Sequence, residues 1–210
     1  MSNQSYLERQ VKQAIDVLKN GGIVAYPTDT VYGLGADPLN RRAVDKIYRV
    51  KKRPYNQALP LLLADKSDLS KVASSVPDIA RKLAELFFPG GLTLVLKKST
   101  WVSSTVSGGG TTIAVRIPNH PVPIALIKGL GSPIIGTSAN VSGRPTPVTA
   151  AEVREQLARE VDLIIDGGRC PGGVESTVLD VSGEVPTIVR EGAVPRAELA
   201  KVCSALLPKK

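Results

Sequence analysis

The chain has 210 residues, a formal net charge of +8, 42% apolar and 22% charged residues, which is the balance of one folded domain and excludes a disordered or fibrous chain. No apolar run approaches the roughly 20 residues of a membrane helix, and the polar stretch Met1 to Lys19 lacks the apolar core of a signal peptide. One histidine and two cysteines exclude a disulfide framework and a His- or Cys-rich metal site, so a reducing cytoplasm is the compartment expected.

Leu7, Val11, Ile15 and Leu18 recur at helical spacing, and Gly21-Gly22 stops that helix. Ile23 to Tyr26 reads as a short buried strand. Asn40 caps a helix carrying Val44, Ile47 and Val50. Leu59 to Ala64 is the continuous apolar run of a strand covered on both faces. Pro77 to Phe87 reads as a helix with Ile79, Leu83 and Leu86 on one side. Leu92 to Leu96 and Thr112 to Ile117 are expected strands, and Pro121 to Lys128 a helix. Pro133 to Gly136 is a short strand, and Thr149 with Glu152 makes a capping box before another helix. Leu163 to Ile165, Thr177 to Val181 and Thr187 to Val189 are strands close enough in sequence to favour antiparallel pairing. Pro195 opens a last helix to about Leu206, and Lys209-Lys210 reads as a solvated tail. Interleaved helices and strands predict an α/β protein with a mixed sheet. No composition shift marks a boundary, so residues 1–210 are expected to form a single domain.

Five segments carry chemistry. Pro27 to Gly35 breaks a strand into hydroxyls, a carboxylate and glycines. There Thr28 and Thr30 can bond a small polar ligand or simply shape a turn. Lys51-Lys52-Arg53 closes a helix, where cations complement the dipole or clamp a phosphate. Thr112 and Arg116 share one face of a strand, with small Ala114 between them. An arginine there needs an anion, either a buried carboxylate or a substrate carboxylate or phosphate. Gly136 to Thr146 is dense in small hydroxyl and amide groups, as an anion nest or an Asx-rich loop would be. Asp166 to Thr177 is a glycine-rich loop containing Cys170, which has no histidine near it in sequence to act as its base. The chain has neither G-x-x-x-x-G-K-[ST] nor a G-x-G-x-x-G after a strand, so a nucleotide site here is not a P-loop or Rossmann site.

In this order the segments resemble the YrdC-like family of threonylcarbamoyl-AMP synthases, from about Gly21 to Gly192. P-T-[DE]-T-V-Y-G-L, K-x-R, T-x-A-V-R, S-A-N-x-S-G and E-S-T-V are all intact. The resemblance implies a twisted mixed sheet with flanking helices around an open, positively charged cavity. It implies that Thr30, Arg116 and Ser176 face L-threonine. It implies that Lys51, Arg53, Gln57, Thr112, Ser138, Asn140, Thr146 and Arg190 face ATP, with Lys51, Arg53, Ser138 and Asn140 as the catalytic set. The reaction implied joins ATP, L-threonine and bicarbonate into threonylcarbamoyl-AMP and pyrophosphate, with Mg²⁺ carried by the nucleotide. The implied partner is a separate threonylcarbamoyl transferase complex downstream, and a contact with tRNA or double-stranded RNA is permitted by the net charge of +8. The chain resembles the short form that lacks a C-terminal domain. It departs from the pattern at two places. Leu61-Leu62-Leu63 lacks the polar residue, often histidine, found there in many members, and Gln57-Ala58-Leu59 replaces Asn-Pro-Leu. Two other functions are weighed: a double-stranded RNA- or ribosome-associated binding module, which the +8 charge permits, and a carbamoyl-adenylate-dependent carbamoyl transfer, the chemistry of related domains inside larger proteins. Only two Phe, one Trp and five Tyr are available for stacking on bases, which disfavours the first.

Overall fold

The apolar stripe of the first helix is satisfied by α1 (Asn3–Lys19), which Gly21 ends with a left-handed φ of 77°. The computed structural model describes residues 3–157 and 159–206, so the Lys209-Lys210 tail lies outside the described residues. After α1 come β1 (Val24–Tyr26), β2 (Gly33–Gly35) and α2 (Arg41–Lys51). Asn40 caps α2 as the sequence predicts, accepting from the Ala43 amide at 3.2 Å. Next are β3 (Leu61–Leu62), a 3-10 turn, α3 (Leu69–Val72), α4 (Asp78–Phe87), β4 (Leu92–Lys97) and β5 (Thr112–Arg116). The remainder is α5 (Pro121–Leu130), β6 (Ile134–Ile135), β7 (Thr137–Ser138), α6 (Ala150–Leu157), β8 (Leu163–Ile164), β9 (Thr177–Asp180), β10 (Thr187–Arg190) and α7 (Arg196–Ala200).

The mixed pairing expected is present, but the strands divide into two sheets. One has the order β7-β2-β1-β8, the other β10-β9-β4-β5-β3-β6. β9 and β10 pair antiparallel, whereas β8 joins β1 and β9 joins β4 in parallel. Strand β2 was hidden in a glycine-rich motif. Its glycines exist because the Tyr26 ring lies across them: a Cβ at Gly33 or Gly35 would stand 2.8 or 2.7 Å from ring carbons. The Tyr26 hydroxyl donates to the Ile135 carbonyl at 3.1 Å, tying the two sheets together.

Four local expectations need correction. In α4 the buried stripe is Ala80, Leu83 and Ala84, with half-buried Phe87 continuing it, and Leu86 is 65% exposed because that stripe turns away from it. The capping box of α6 is half formed: Thr149 Oγ1 accepts from the Glu152 amide, but Glu152 accepts from Val148 instead. The long Leu59–Ala64 run is strand only at Leu61–Leu62, although Leu59 and Leu63 are equally buried. The last helix is five residues long, followed by a separate 3-10 turn at Ser204–Leu206. Among the described residues no helix is long and apolar enough to cross a membrane.

Candidate functional site

A cavity of about 740 Å³ opens between the two sheets. The four-stranded sheet contributes Gly33 of β2 and Thr137 and Ser138 of β7. The six-stranded sheet contributes Leu62, Thr93, Ala114, Arg116, Val178 and Arg190. Strict alternation aims β5: Ile113 and Val115 are fully buried in the core, so Ala114 and Arg116 turn to the cavity. Every candidate site residue lines this space except Thr112, which pairs with Lys97 at the start of β5, beyond the lining.

Arg116 is 7% exposed and already held from three sides. Its Nη2 meets Asp29 Oδ1 at 2.6 Å, its Nη1 donates to Thr30 Oγ1 at 2.8 Å, and its Nε donates to the Gly90 carbonyl at 2.8 Å. The buried carboxylate partner weighed from the sequence is therefore real, and it is Asp29. Burial lowers the Arg116 pKa, and the Asp29 charge opposes that shift. Arg190 donates to the Ser176 carbonyl at 2.8 Å and to Glu175 Oε2 at 2.8 Å. Ser176 Oγ in turn shares a 2.8 Å bond with Thr93 Oγ1. Thr30 and Arg116 are thus in direct contact, while Ser176 joins them as part of the Arg190 cluster.

Lys51 ends α2 and is 2% exposed. Its Nζ donates to the Ser138 carbonyl, to the Asn140 carbonyl at 2.8 Å and to Asn140 Oδ1 at 3.1 Å. Burial, and then the neighbouring Arg53 charge, push its pKa down to about 7, against a smaller upward pull from Glu175. Lys52 follows in the left-handed region at φ 51° and turns the chain back, so that Arg53 donates to the Gln57 and Ala58 carbonyls. Tyr55 stacks on Tyr48 at 4.5 Å, pinning this turn. Ser138 Oγ donates to Asn140 Oδ1 at 2.7 Å, and Asn140 Nδ2 to the Arg144 carbonyl at 2.6 Å. The catalytic set read from the sequence therefore splits: Lys51, Ser138 and Asn140 form one network, and Arg53 stands beside it. Gln57 and Thr146 complete the lining at this end.

Sequence reasoning assigned no role to Thr93, Ser142, Arg144 or Glu175, all on the lining. Thr93 had a signal, being the one hydroxyl inside the apolar strand Leu92–Leu96. Ser142 Oγ is buried with no hydrogen-bond partner, which no sequence pattern reveals. Cys170 is 3% exposed, and burial raises its thiol pKa, so it is not an activated nucleophile. His120 caps α5 through Nδ1 and lines a separate cavity of about 320 Å³. Among the described residues no three His, Cys, Asp or Glu side chains gather to hold a metal.

Residues 16–192 match the family profile of Sua5, YciO and YrdC, described as telomere recombination. The threonylcarbamoyl-AMP synthase of Pyrococcus abyssi is 42% identical over 195 residues, covering 93% of this chain and 57% of that protein. The synthase of Bacillus subtilis is 41% identical over 92% of this chain and 56% of its own length, so the chain spans about half the length of these relatives. The synthase of Halorhodospira halophila is 37% identical over 87% of this chain and 90% of its own. Among solved structures, Pyrococcus abyssi Sua5 complexed with L-threonine superposes with a TM-score of 0.89 at 42% identity, covering 91% of this chain and 56% of that one. Escherichia coli YciO superposes at 0.81 with 33% identity, over 88% and 90%.

Proposed function

Since the chain belongs to the Sua5/YciO/YrdC family, we propose that it condenses ATP, L-threonine and bicarbonate into threonylcarbamoyl-AMP and releases pyrophosphate. The observation that carries this reading is the gathering of Thr30, Arg116 and Ser176 with the K-x-R and S-A-N segments on one cavity. Support also comes from the Pyrococcus abyssi relative, whose structure holds L-threonine.

Threonine and bicarbonate lose water to give N-carboxythreonine. Its carboxylate attacks the α-phosphorus of ATP, the bond to the bridging oxygen breaks, and pyrophosphate leaves. No protein nucleophile is required. The task of the chain is to bring together several anions and to stabilise charge that moves onto the leaving group. The lining offers Lys51, Arg53, Arg116, Arg144 and Arg190 against one carboxylate, Glu175, which is engaged by Arg190. With three of its five N–H groups spent, Arg116 keeps two for the threonine carboxylate. Thr30 and Ser176 offer hydroxyls to the amino acid. Arg53, Gln57, Ser138, Asn140, Thr146 and Arg190 surround the nucleotide. Mg²⁺ enters with the triphosphate as part of the substrate, bound by its phosphates. The product is a mixed anhydride that a separate transferase consumes in modifying tRNA.

The test is pyrophosphate release from ATP and bicarbonate, with and without threonine. Threonine-dependent release is expected. Release that needs carbamoyl phosphate instead, or that ignores threonine, overturns the proposal.

A further inference from the structure

We propose that Lys51 is a positioning residue that braces the Ser138–Arg144 loop, and that it does not bind phosphate. This rests on the synthase reading of the cavity and assigns the lysine of the K-x-R segment a different task from its arginine. An ammonium has three protons to donate and no more. When Lys51 is protonated all three are used on protein oxygens, the carbonyls of Ser138 and Asn140 and the Asn140 side chain, and the neutral amine formed above its lowered pKa has fewer still to offer a phosphate. The side chain is also 2% exposed, so it offers the cavity almost no surface.

Everything those bonds touch belongs to one loop. The Asn140 amide that accepts from Lys51 also accepts from Ser138 Oγ, and its nitrogen donates to the Arg144 carbonyl at 2.6 Å. The Lys51 backbone carbonyl takes the Ser142 amide at 2.8 Å. One residue at the end of a helix thus ties down positions 138, 140 and 142 directly and 144 through Asn140. The odd positions of the segment are held otherwise, Ala139 by burial in the core and the Val141 amide by donating to Gln156 Oε1 at 3.3 Å, so Lys51 is what fixes the polar positions that face the cavity before Gly143 turns the chain at φ 83°. Arg53, two residues on, is bound to its own turn through Nε and one Nη only and keeps N–H groups for an anion. Lys51 therefore acts on the nucleotide through Ser138 and Asn140.

A double-mutant cycle reads this directly. Lys51→Met and Asn140→Ala should each lower kcat/KM for ATP about tenfold or more, and the double variant should be no worse than the weaker single one. The threonine KM should stay within about twofold of wild type, and a melting curve with an undiminished cooperative transition for each variant excludes a general loss of fold. A double variant whose loss is the product of the two single losses overturns the proposal, since that is the signature of an independent contact with ATP. Where Lys51→Met does not fold, acylation of the wild-type enzyme by an amine-reactive reagent, read by mass spectrometry, decides. Lys51 should stay unlabelled without nucleotide, whereas labelling that ATP suppresses overturns the proposal. The labelling needs no turnover, so a wild type inactive with threonine counts against the synthase reading alone.

Discussion

Two buried cations reach the same cavity and are held by different means. Arg116 has a carboxylate, Asp29, at 2.6 Å. Lys51 is surrounded by neutral oxygens, and the charge acting on it most strongly is that of another cation, Arg53. The paired guanidinium keeps its charge and two free N–H groups, as a ligand site requires. The unpaired ammonium has no donor left and its pKa falls to about 7. A buried cation is therefore not a ligand contact by default. What matters is how many of its donors the protein has already taken.

The sharpest way to break this contrast is to remove the carboxylate. Asp29→Asn leaves a buried guanidinium without its counter-charge, a loss on the order of 3–5 kcal/mol when a buried pair is broken from one side. The pair is little exposed, at 8% and 16% of the two side chains, so water screens it weakly. Thermal unfolding should show a melting point lowered by roughly 10 °C, with the threonine KM raised as Arg116 loses its orientation. An unchanged melting curve would mean that Asp29 does not compensate the arginine.

Arg116→Lys should come next in size. A lysine keeps the charge but cannot reproduce the forked geometry that holds Asp29, Thr30 and a carboxylate together. A loss of about 1.5–3 kcal/mol corresponds to roughly ten- to a hundredfold in the threonine KM. The ATP KM should barely move. Steady-state kinetics in both substrates checks this, and equal losses for ATP and threonine would dissociate Arg116 from the amino acid.

The third prediction tests Lys51 by pH. Its folded pKa, about 7, lies below the ordinary value of 10.5. Between those values the unfolded chain holds the proton and the folded chain releases it. The unfolded state thus binds more protons, and stability must rise with pH in that window. From pH 7 to 8 this amounts to about 1 kcal/mol for one group. Chemical denaturation of wild type and Lys51→Met at both pH values should show that gain only in the wild type. A gain of equal size in both proteins would assign it to another group.

Much of this contrast was out of reach of the sequence, for physical reasons. Local signals were legible: the Asn40 cap of α2 and the alternation that turns Arg116 inward both depend on neighbours in the chain. So was the joint order of the motifs, which placed ten of the eleven candidates on one cavity. Strands β2 and β7 were not legible, because three residues of Gly-Leu-Gly and two of Thr-Ser carry no β-branched alternation. Nor was the use of each donor. Asp29 and Arg116 are 87 positions apart and Lys51 and Asn140 are 89 apart, so these bonds belong to the tertiary fold alone. Thr112 misled for a related reason: period two correctly puts it on the face of Arg116, but that strand runs past the end of the cavity.

The smallest effect is expected at Cys170, where a reactive group lies close to the Asp29–Arg116 pair without taking part. Asp29 acts on the thiol to raise its pKa and Arg116 acts to lower it, but burial is the largest influence and raises it. A thiol with a raised pKa is protonated at neutral pH and is a poor nucleophile. The one histidine is tied to the start of α5, where its Nδ1 accepts from the Val122 amide at 3.2 Å, so it is not a base serving the thiol. The chemistry proposed for the cavity needs no covalent intermediate on the protein. Cys170→Ser should therefore keep kcat within about twofold of wild type. A serine hydroxyl in a site only 3% exposed costs something to desolvate, roughly 1–2 kcal/mol if it finds no partner. Parallel measurement of turnover and melting temperature separates the two effects. A folded Cys170→Ser that makes no product would contradict the absence of a protein nucleophile and with it the division of labour between Arg116 and Lys51.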